Sequence, residues 1–274
     1  MQTQPPQFLS DVDSQPGKHP ALLHQALPPI TADMALFLDF DGTLVEIADH
    51  PQDVLIPHRL VDTLSALHRQ LGGAVALVSG RRLLDLDGFL SPLQLPSAAE
   101  HGAQRRDAAG RISSAPATDL QQVLRAAQDL VAQYPALALE QKNLALSLHY
   151  RHAPELETLC LQVMRTALAG NPRLALMQGK CVIDVKPISV SKGTAIAAFM
   201  AEAPFAGRFP VFAGDDVTDE DGFEELLRMG GHAIKVGSGP SRARLRCHSV
   251  AELAAWLEAS AASLSATRLE SLSS

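Results

Sequence analysis

Short apolar runs alternate with helix-period segments along most of the chain, a pattern that predicts a parallel sheet flanked by helices. Ala35, Leu36, Phe37 and Leu38 form an apolar run that ends on Asp39. Residues 58–71 place Leu60, Leu64, Leu67 and Leu71 on one helical stripe, which the pair Gly72–Gly73 stops. Residues 74–78 read as the next buried strand and run into Ser79–Gly80–Arg81. Residues 190–202 predict a helix with Ser191 as N-cap and with Ile196, Phe199 and Met200 facing inward. Residues 210–214 predict a strand that stops at Asp215–Asp216, before a helix capped by Thr218 and carrying Phe223, Leu226 and Leu227.

The middle of the chain has a different rhythm. Residues 120–134 form an amphipathic helix pattern. In 144–150, Leu144, Leu146, Leu148 and Tyr150 face one way, and Ala145, Ser147 and His149 the other. A helix at 155–168 and strand-like runs at 174–178 and 181–186 follow. Strict period-two alternation predicts an antiparallel sheet with one wet face. A parallel block interrupted by such a segment implies an inserted domain. The expected division is a flexible leader at 1–33, a core at 34–103 and 185–258, an α+β insert at 104–184 and a flexible tail at 259–274.

At 274 residues and 46% hydrophobic, the chain is long enough to bury a sizeable core. Lys plus Arg number 23 against 30 Asp plus Glu, a net charge of −7, with no dense basic run. That balance argues against nucleic acid or an anionic membrane as a partner. Apolar runs such as 34–38 and 74–78 fall far short of a membrane span. The N-terminus lacks the basic start and apolar stretch of a secretion signal. Cys160, Cys181 and Cys247 are scattered, without paired or metal spacing. A cytoplasmic protein is expected, and a monomer is compatible with everything in the sequence.

Three strand ends carry polar clusters: Asp39 with Asp41, Ser79 to Arg81, and Asp215 with Asp216. Ligands of open α/β sheets bind beyond the carboxyl ends of the strands. Two acids spaced i, i+2 on a turn with Gly42 suit an oxygen-loving cation such as Mg²⁺, and a second acidic strand end adds ligands. No phosphate-binding glycine loop of nucleotide enzymes and no zinc spacing among the histidines occurs.

Asp39-Phe40-Asp41-Gly42-Thr43, Ser79-Gly80-Arg81, Lys192-Gly193 and Gly214-Asp215-Asp216 resemble, in order, the four motifs of the haloacid-dehalogenase-like phosphatases. The run from Gly214 to Glu220, with Glu100-His101-Gly102, Glu140 to Lys142, His149 to Arg151, Gly179-Lys180 and Val182 to Pro187, is similar to the trehalose-6-phosphate phosphatases, bacterial ones above all. The resemblance spans residues 34–256. It implies a Rossmann-like parallel core with an inserted α+β cap, and a Mg²⁺-dependent hydrolysis of trehalose 6-phosphate. Asp39 would be the nucleophile and Asp41 the general acid and base. Mg²⁺ would be held by an Asp39 oxygen, the Asp41 backbone carbonyl and Asp215, with Asp216 and Asp219 completing its surroundings. Lys192 would stabilise the phosphoryl charge.

Thr43, Ser79, Gly80 and Arg81 would contact the phosphoryl group or substrate, with helix capping the other reading of Thr43. Glu140, Lys142 and Asp184 would project from the cap onto the sugar; the family usually has a glutamate where this chain has Asp184. His101, His149 and Arg151 read as structural. Two alternatives stand beside this reading. One is a phosphatase for another sugar phosphate, such as sucrose phosphate. The other is a non-catalytic sugar-phosphate sensor, against which the intact set Asp39, Asp41, Lys192 and Asp215 argues.

Overall fold

Apolar residues on both faces mark a strand covered on both sides, and Met34–Leu38 (β1) accordingly lies inside an eight-stranded sheet. The structure, a computed structural model, describes residues 26–116, 118–142 and 144–272. After β1 come α1 (Leu60–Gln70), β2 (Val75–Val78), α2 (Leu83–Leu90), β3 (Ser97–Ala99), β4 (Gln104–Arg106), β5 (Ile112–Ser114) and α3 (Gln121–Gln133). Then follow β6 (Ala138–Gln141), β7 (Leu146–His149), α4 (Glu157–Leu168), β8 (Leu174–Gly179) and β9 (Val182–Pro187). The chain closes with α5 (Lys192–Met200), β10 (Phe209–Gly214), α6 (Glu220–Arg228), β11 (His232–Val236), β12 (Leu245–Cys247) and α7 (Val250–Leu272).

The large sheet has the order β12-β11-β10-β1-β2-β3-β4-β5. It is parallel from β12 to β3, and β4 and β5 extend its edge antiparallel. Because β10, β1 and β2 are neighbours, the polar residues that follow each of them emerge side by side. The second sheet, β6-β7-β9-β8, is antiparallel throughout. One of its faces packs on α3 and α4 through Val123, Leu130, Leu146, Leu148, Cys160 and Ile183.

Five expectations need correction, the first being that residues 185–187, assigned to the core, complete β9 in the small sheet. Residues 104–106 and 112–114, assigned to the insert, pair onto the large sheet rather than the small one. The tail expected to be flexible from 259 is helical to Leu272, because Leu253, Leu257 and Ala261 give α7 an apolar stripe that packs on the core. Residues 1–25 of the expected leader lie outside the described residues, but 26–33 are docked: Ile30 is 3% exposed, and Trp256 Nε1–H donates to the Pro28 carbonyl at 2.9 Å. Finally, the second face of the small sheet is wet only in part, at Glu140 and His149. Ser147, Asp184 and Lys186 on it are buried. Among the described residues, no helix is long and apolar enough to cross a membrane.

Candidate active site

The backbone N–H of Asp39 still pairs with the Ala213 carbonyl at 3.0 Å, so the Asp39 side chain leaves β1 where its sheet partner β10 is ending. The chain then turns through Gly42 at φ +77°, a left-handed conformation that glycine adopts without penalty. A Cβ there would lie 2.2 Å from Asp215 Oδ2, so Gly42 also lets the two strand ends approach. Thr43 is fully buried and starts no helix; its hydroxyl lies 3.4 Å from Asp215 Oδ1. It therefore supports a carboxylate, and it does not line the cleft.

Lys192 is the first residue of α5, whose N-terminus is fixed by a reciprocal capping box between Ser191 and Thr194. Its Nζ donates to Asp39 Oδ1 at 2.7 Å and to Asp219 Oδ1 at 2.6 Å. Asp219 belongs to a second capping box, with Asp216, that turns the chain after β10. That box replaces the Thr218 cap expected from the sequence. The N–H of Asp216 donates to Asp219 Oδ2 at 2.9 Å.

Two carboxylates thus share one ammonium, and that of Asp215 lies close to both. Burial, reinforced by Asp219 and Asp215, raises the Asp39 carboxyl well above the usual carboxylate range against the pull of Lys192. Burial and Asp219 push Asp215 up to about 7. Burial opposes the Lys192 charge, but Asp219 and Asp39 outweigh it and hold the ammonium above its ordinary value. The cation gains from each acid, whereas the acids repel one another; Asp215 is also drawn down by Lys235, whose Nζ donates to its carbonyl.

Asp41 faces the other way. Arg81 Nε and Nη2 reach its two oxygens at 2.6 Å each, and Arg81 Nη1 donates to the Pro51 carbonyl at 2.7 Å. The guanidinium lies 4.8 Å from the Phe89 ring centroid and 5.6 Å from that of Phe40, which fixes its plane. Ser79 Oγ accepts the Arg81 backbone N–H at 3.2 Å.

The small sheet roofs this group. Its pairing register aligns Glu140, Ser147 and Asp184 in one row across β6, β7 and β9. Lys142, two residues beyond Glu140, donates to the Gly80 carbonyl at 2.9 Å and lies 3.8 Å from Asp184 Oδ1 and 3.9 Å from Glu140 Oε2. Asp184 also accepts from Ser147 Oγ and lies 3.4 Å from His101 Nε2. Burial alone would raise its pKa, but His101, Lys142 and Ser147 outweigh it and hold the carboxyl below the usual range. His149 Nε2 lies 3.2 Å from Glu140 Oε2.

One cleft is therefore lined by Asp39, Asp41, Ser79, Gly80, Arg81 and Lys192 below, and by Glu140, Lys142 and Asp184 above, with Asp215 and Asp216 at its side. The sequence-selected residues meet there except Thr43 and Asp219, which lie buried behind the lining. Other lining residues carry a different expectation from the sequence: Ser147 that of a wet face, and His101, His149 and Arg151 that of structural residues. Polar residues at 147 and 149 gave a signal for a functional face of the sheet, but solvent and a ligand produce the same alternation.

The model of the trehalose-phosphatase family matches residues 37–250. The trehalose-6-phosphate phosphatase of Escherichia coli strain K12 is 44% identical over 236 residues, covering 84% of this chain and 88% of that protein. The chain belongs to the trehalose-phosphatase family. It is thus a phosphatase by descent. The C-terminal domain of a C. albicans trehalose-6-phosphate phosphatase superposes with a TM-score of 0.75 at 22% identity, over 84% of this chain and 92% of that one. A phosphatase of the haloalkanoate (HAD) superfamily from Bacteroides thetaiotaomicron superposes at 0.55 and 15% identity, over 84% and 96%. Both likenesses are of fold, and with them this trehalose-phosphatase family member takes the α/β haloacid-dehalogenase-like class.

The donor set suits a hard divalent cation. One oxygen each from Asp39, Asp215 and Asp219 lie within 4.8 Å of one another, and carboxylates forced this close carry more negative charge than Lys192 offsets. Of the expected ligands, Asp39 and Asp215 lie in this grouping, and Asp219, expected farther out, joins them; the Asp41 side chain pairs with Arg81. A consequence can be measured by thermal melting. An acid whose pKa is raised on folding binds protons more tightly in the native state, so its contribution to stability is lost as pH rises from the unfolded toward the folded value. In EDTA, Tm is expected to fall by about 5 °C between about pH 5.5 and pH 8, and Asp215→Asn is expected to flatten the slope. Added Mg²⁺ is expected to raise Tm more at the higher pH. A slope unchanged in the variant would contradict this electrostatic picture.

Proposed function

We propose that this phosphatase hydrolyses trehalose 6-phosphate to trehalose and inorganic phosphate through an aspartyl-phosphate at Asp39. The observation that carries the reading is that a buried carboxylate at a strand end faces, across one cleft, the sugar-suited polar side chains of Glu140, Lys142 and Asp184. The similarity to E. coli trehalose-6-phosphate phosphatase supports the choice of sugar.

In this account an Asp39 oxygen attacks phosphorus while the bond from phosphorus to the sugar oxygen breaks. Asp41 gives the departing oxygen its proton, then takes a proton from the water that attacks the aspartyl-phosphate. That water's oxygen leaves in the phosphate, and the Asp39 carboxylate is restored. Arg81 must release Asp41 before the first proton moves, and an incoming phosphoryl dianion is a competing partner for its guanidinium. Lys192, already 2.7 Å from Asp39, lies where charge gathers on the phosphoryl oxygens. A Mg²⁺ held by Asp39, Asp215 and Asp219, with Asp216 facing the same cleft, would offset the repulsion between carboxylate and phosphoryl group. Glu140, Lys142 and Asp184 would bind sugar hydroxyls; each offers a charged partner, the stronger kind of hydrogen bond.

Phosphate release from a panel of sugar phosphates tests this assignment. With Mg²⁺, kcat/KM for trehalose 6-phosphate is expected to exceed that for sucrose 6-phosphate or glucose 6-phosphate by at least about 100-fold, and EDTA is expected to abolish the activity. A flat profile would overturn the substrate assignment.

A further inference from the structure

Direct polar contacts join the small sheet to the loops of the large one, and two of them end on a single three-residue turn, Glu100–Gly102. The Leu144 backbone N–H donates to Glu100 Oε2 at 3.0 Å, and His101 Nε2 faces Asp184 Oδ2 at 3.4 Å. The third contact, from Lys142 to the Gly80 carbonyl, lands beside it. The turn is bound to the same loop from below: Glu100 N–H donates to the Arg81 carbonyl and His101 N–H to the Ser79 carbonyl, both at 2.9 Å.

Its backbone is unusual. Glu100, His101 and Gly102 have φ of 49°, 58° and 101° in succession. Two adjacent non-glycine residues in the left-handed region cost free energy, and such geometry persists only where its surroundings impose it. The fit is close on both sides. A Cβ on Gly80 would lie 2.7 Å from the His101 ring, and one on Gly102 would lie 2.8 Å from the Ser191 carbonyl, next to Lys192.

The imidazole has a defined state. Nε2 faces a carboxylate and therefore carries the hydrogen, while Nδ1 is buried with no hydrogen-bond partner among the described residues. A second N–H would be buried unpaired, so the neutral ring fits; burial likewise holds its pKa below the usual value. Asp184 is thus gripped by Ser147 and Lys142 from its own sheet and by His101 from the other.

We infer that His101 is a positioning residue for substrate selection: from the large sheet it sets the Asp184 carboxylate, and with it Lys142, toward the sugar. The inference rests on the trehalose 6-phosphate reading. On this account the Glu100–Gly102 turn makes sugar recognition depend on the small sheet being docked over Asp39. An aryl phosphate, which has no sugar hydroxyls, does not need it.

The test uses two full-length variants that differ in reach. In His101→Asn the amide stops short of Asp184, while asparagine tolerates the left-handed turn. In His101→Gln the amide N–H extends about as far as Nε2. Steady-state constants are measured with Mg²⁺ for trehalose 6-phosphate and for p-nitrophenyl phosphate, with melting curves for each protein. H101N is expected to raise KM for trehalose 6-phosphate by about 10- to 100-fold, the loss of one hydrogen bond to a charged group, and to change the aryl phosphate constants by less than about twofold. H101Q is expected to recover most of the loss. Unchanged constants in H101N, or equal losses on both substrates, would overturn the inference while wild-type selectivity stands. A wild-type enzyme with no preference for trehalose 6-phosphate over other sugar phosphates would overturn the substrate reading itself, and the inference with it. Should H101N fail to fold, Glu100→Ala, which removes the acceptor for Leu144, is expected to give the same split between substrates, and losses equal on both would again refute it.

Discussion

Asp39→Asn is expected to lower turnover of trehalose 6-phosphate by about four to six orders of magnitude and to leave KM within a few-fold. The amide has nearly the shape of the carboxylate but no anionic oxygen with which to attack phosphorus. The variant is also expected to melt at a higher temperature than the wild type in EDTA. Asp39 is buried among Asp215 and Asp219 with one shared ammonium, so a neutral side chain relieves crowding that the active enzyme tolerates. Phosphate-release kinetics and melting curves check the two halves separately. A loss of turnover below about tenfold would remove Asp39 from the role of nucleophile. A fall in Tm would mean that the pair with Lys192 outweighs the repulsion.

Lys192→Met is expected to have the next largest effect, on both activity and stability. Its ammonium is the partner of two buried carboxylates at 2.7 and 2.6 Å. Breaking a buried ion pair from one side leaves uncompensated charge, a cost of about 3–5 kcal/mol, so Tm is expected to drop by about 10 °C in EDTA at about pH 8. Turnover is expected to fall by about 1,000-fold, as when a charge-stabilising donor is removed from an active site. The stability deficit has a definite pH dependence. The raised acids Asp39 and Asp215 take up protons in the folded state as pH falls, which removes the unpaired charge. The difference in Tm from wild type is therefore expected to shrink toward about pH 5, and a deficit that grows on acidification would contradict the assignment.

Much of this site was legible because strand ends concentrate chemistry. The apolar runs before Asp39, Ser79 and Asp215 located three strands, and ligands of α/β sheets sit beyond such ends. The Ser191 cap located α5 and placed Lys192 at its start. Glu140 and Lys142, the latter one residue past the end of β6, both face the cleft, as the i, i+2 spacing of an extended segment predicts.

The misreadings have physical causes. Thr218 and Asp216 are both good caps, and only the reciprocal bond with Asp219 decides between them. Asp219 itself joins the carboxylate cluster through a turn whose geometry spacing alone does not give. Ser147 alternates with apolar residues as a solvent-facing residue would, because a sheet face over a polar cleft has the same pattern as one over water. Residues 104–106 and 112–114 read as part of the insert because a three-residue strand carries too few positions to reveal which sheet it joins. The Ser- and Ala-rich tail was read by composition, although Leu253, Leu257 and Ala261 keep a helical spacing that packs α7 on the core. His101 shows the limit most clearly: a lone histidine beside a glycine gives no sign of a carboxylate contributed by a strand more than eighty residues away.

The most direct measurement of the central claim, that Asp39 receives the phosphoryl group, uses Asp41→Asn with p-nitrophenyl phosphate. This leaving group departs without a proton, so the first step survives, while the water that completes the second lacks its base. A burst of p-nitrophenol of about one equivalent per enzyme, followed by slow turnover, is expected. The acid-quenched protein is expected to carry the phosphoryl group on the peptide containing Asp39. Linear release without a burst, together with no phosphoryl group on that peptide or with the group on any other residue, would contradict the claim.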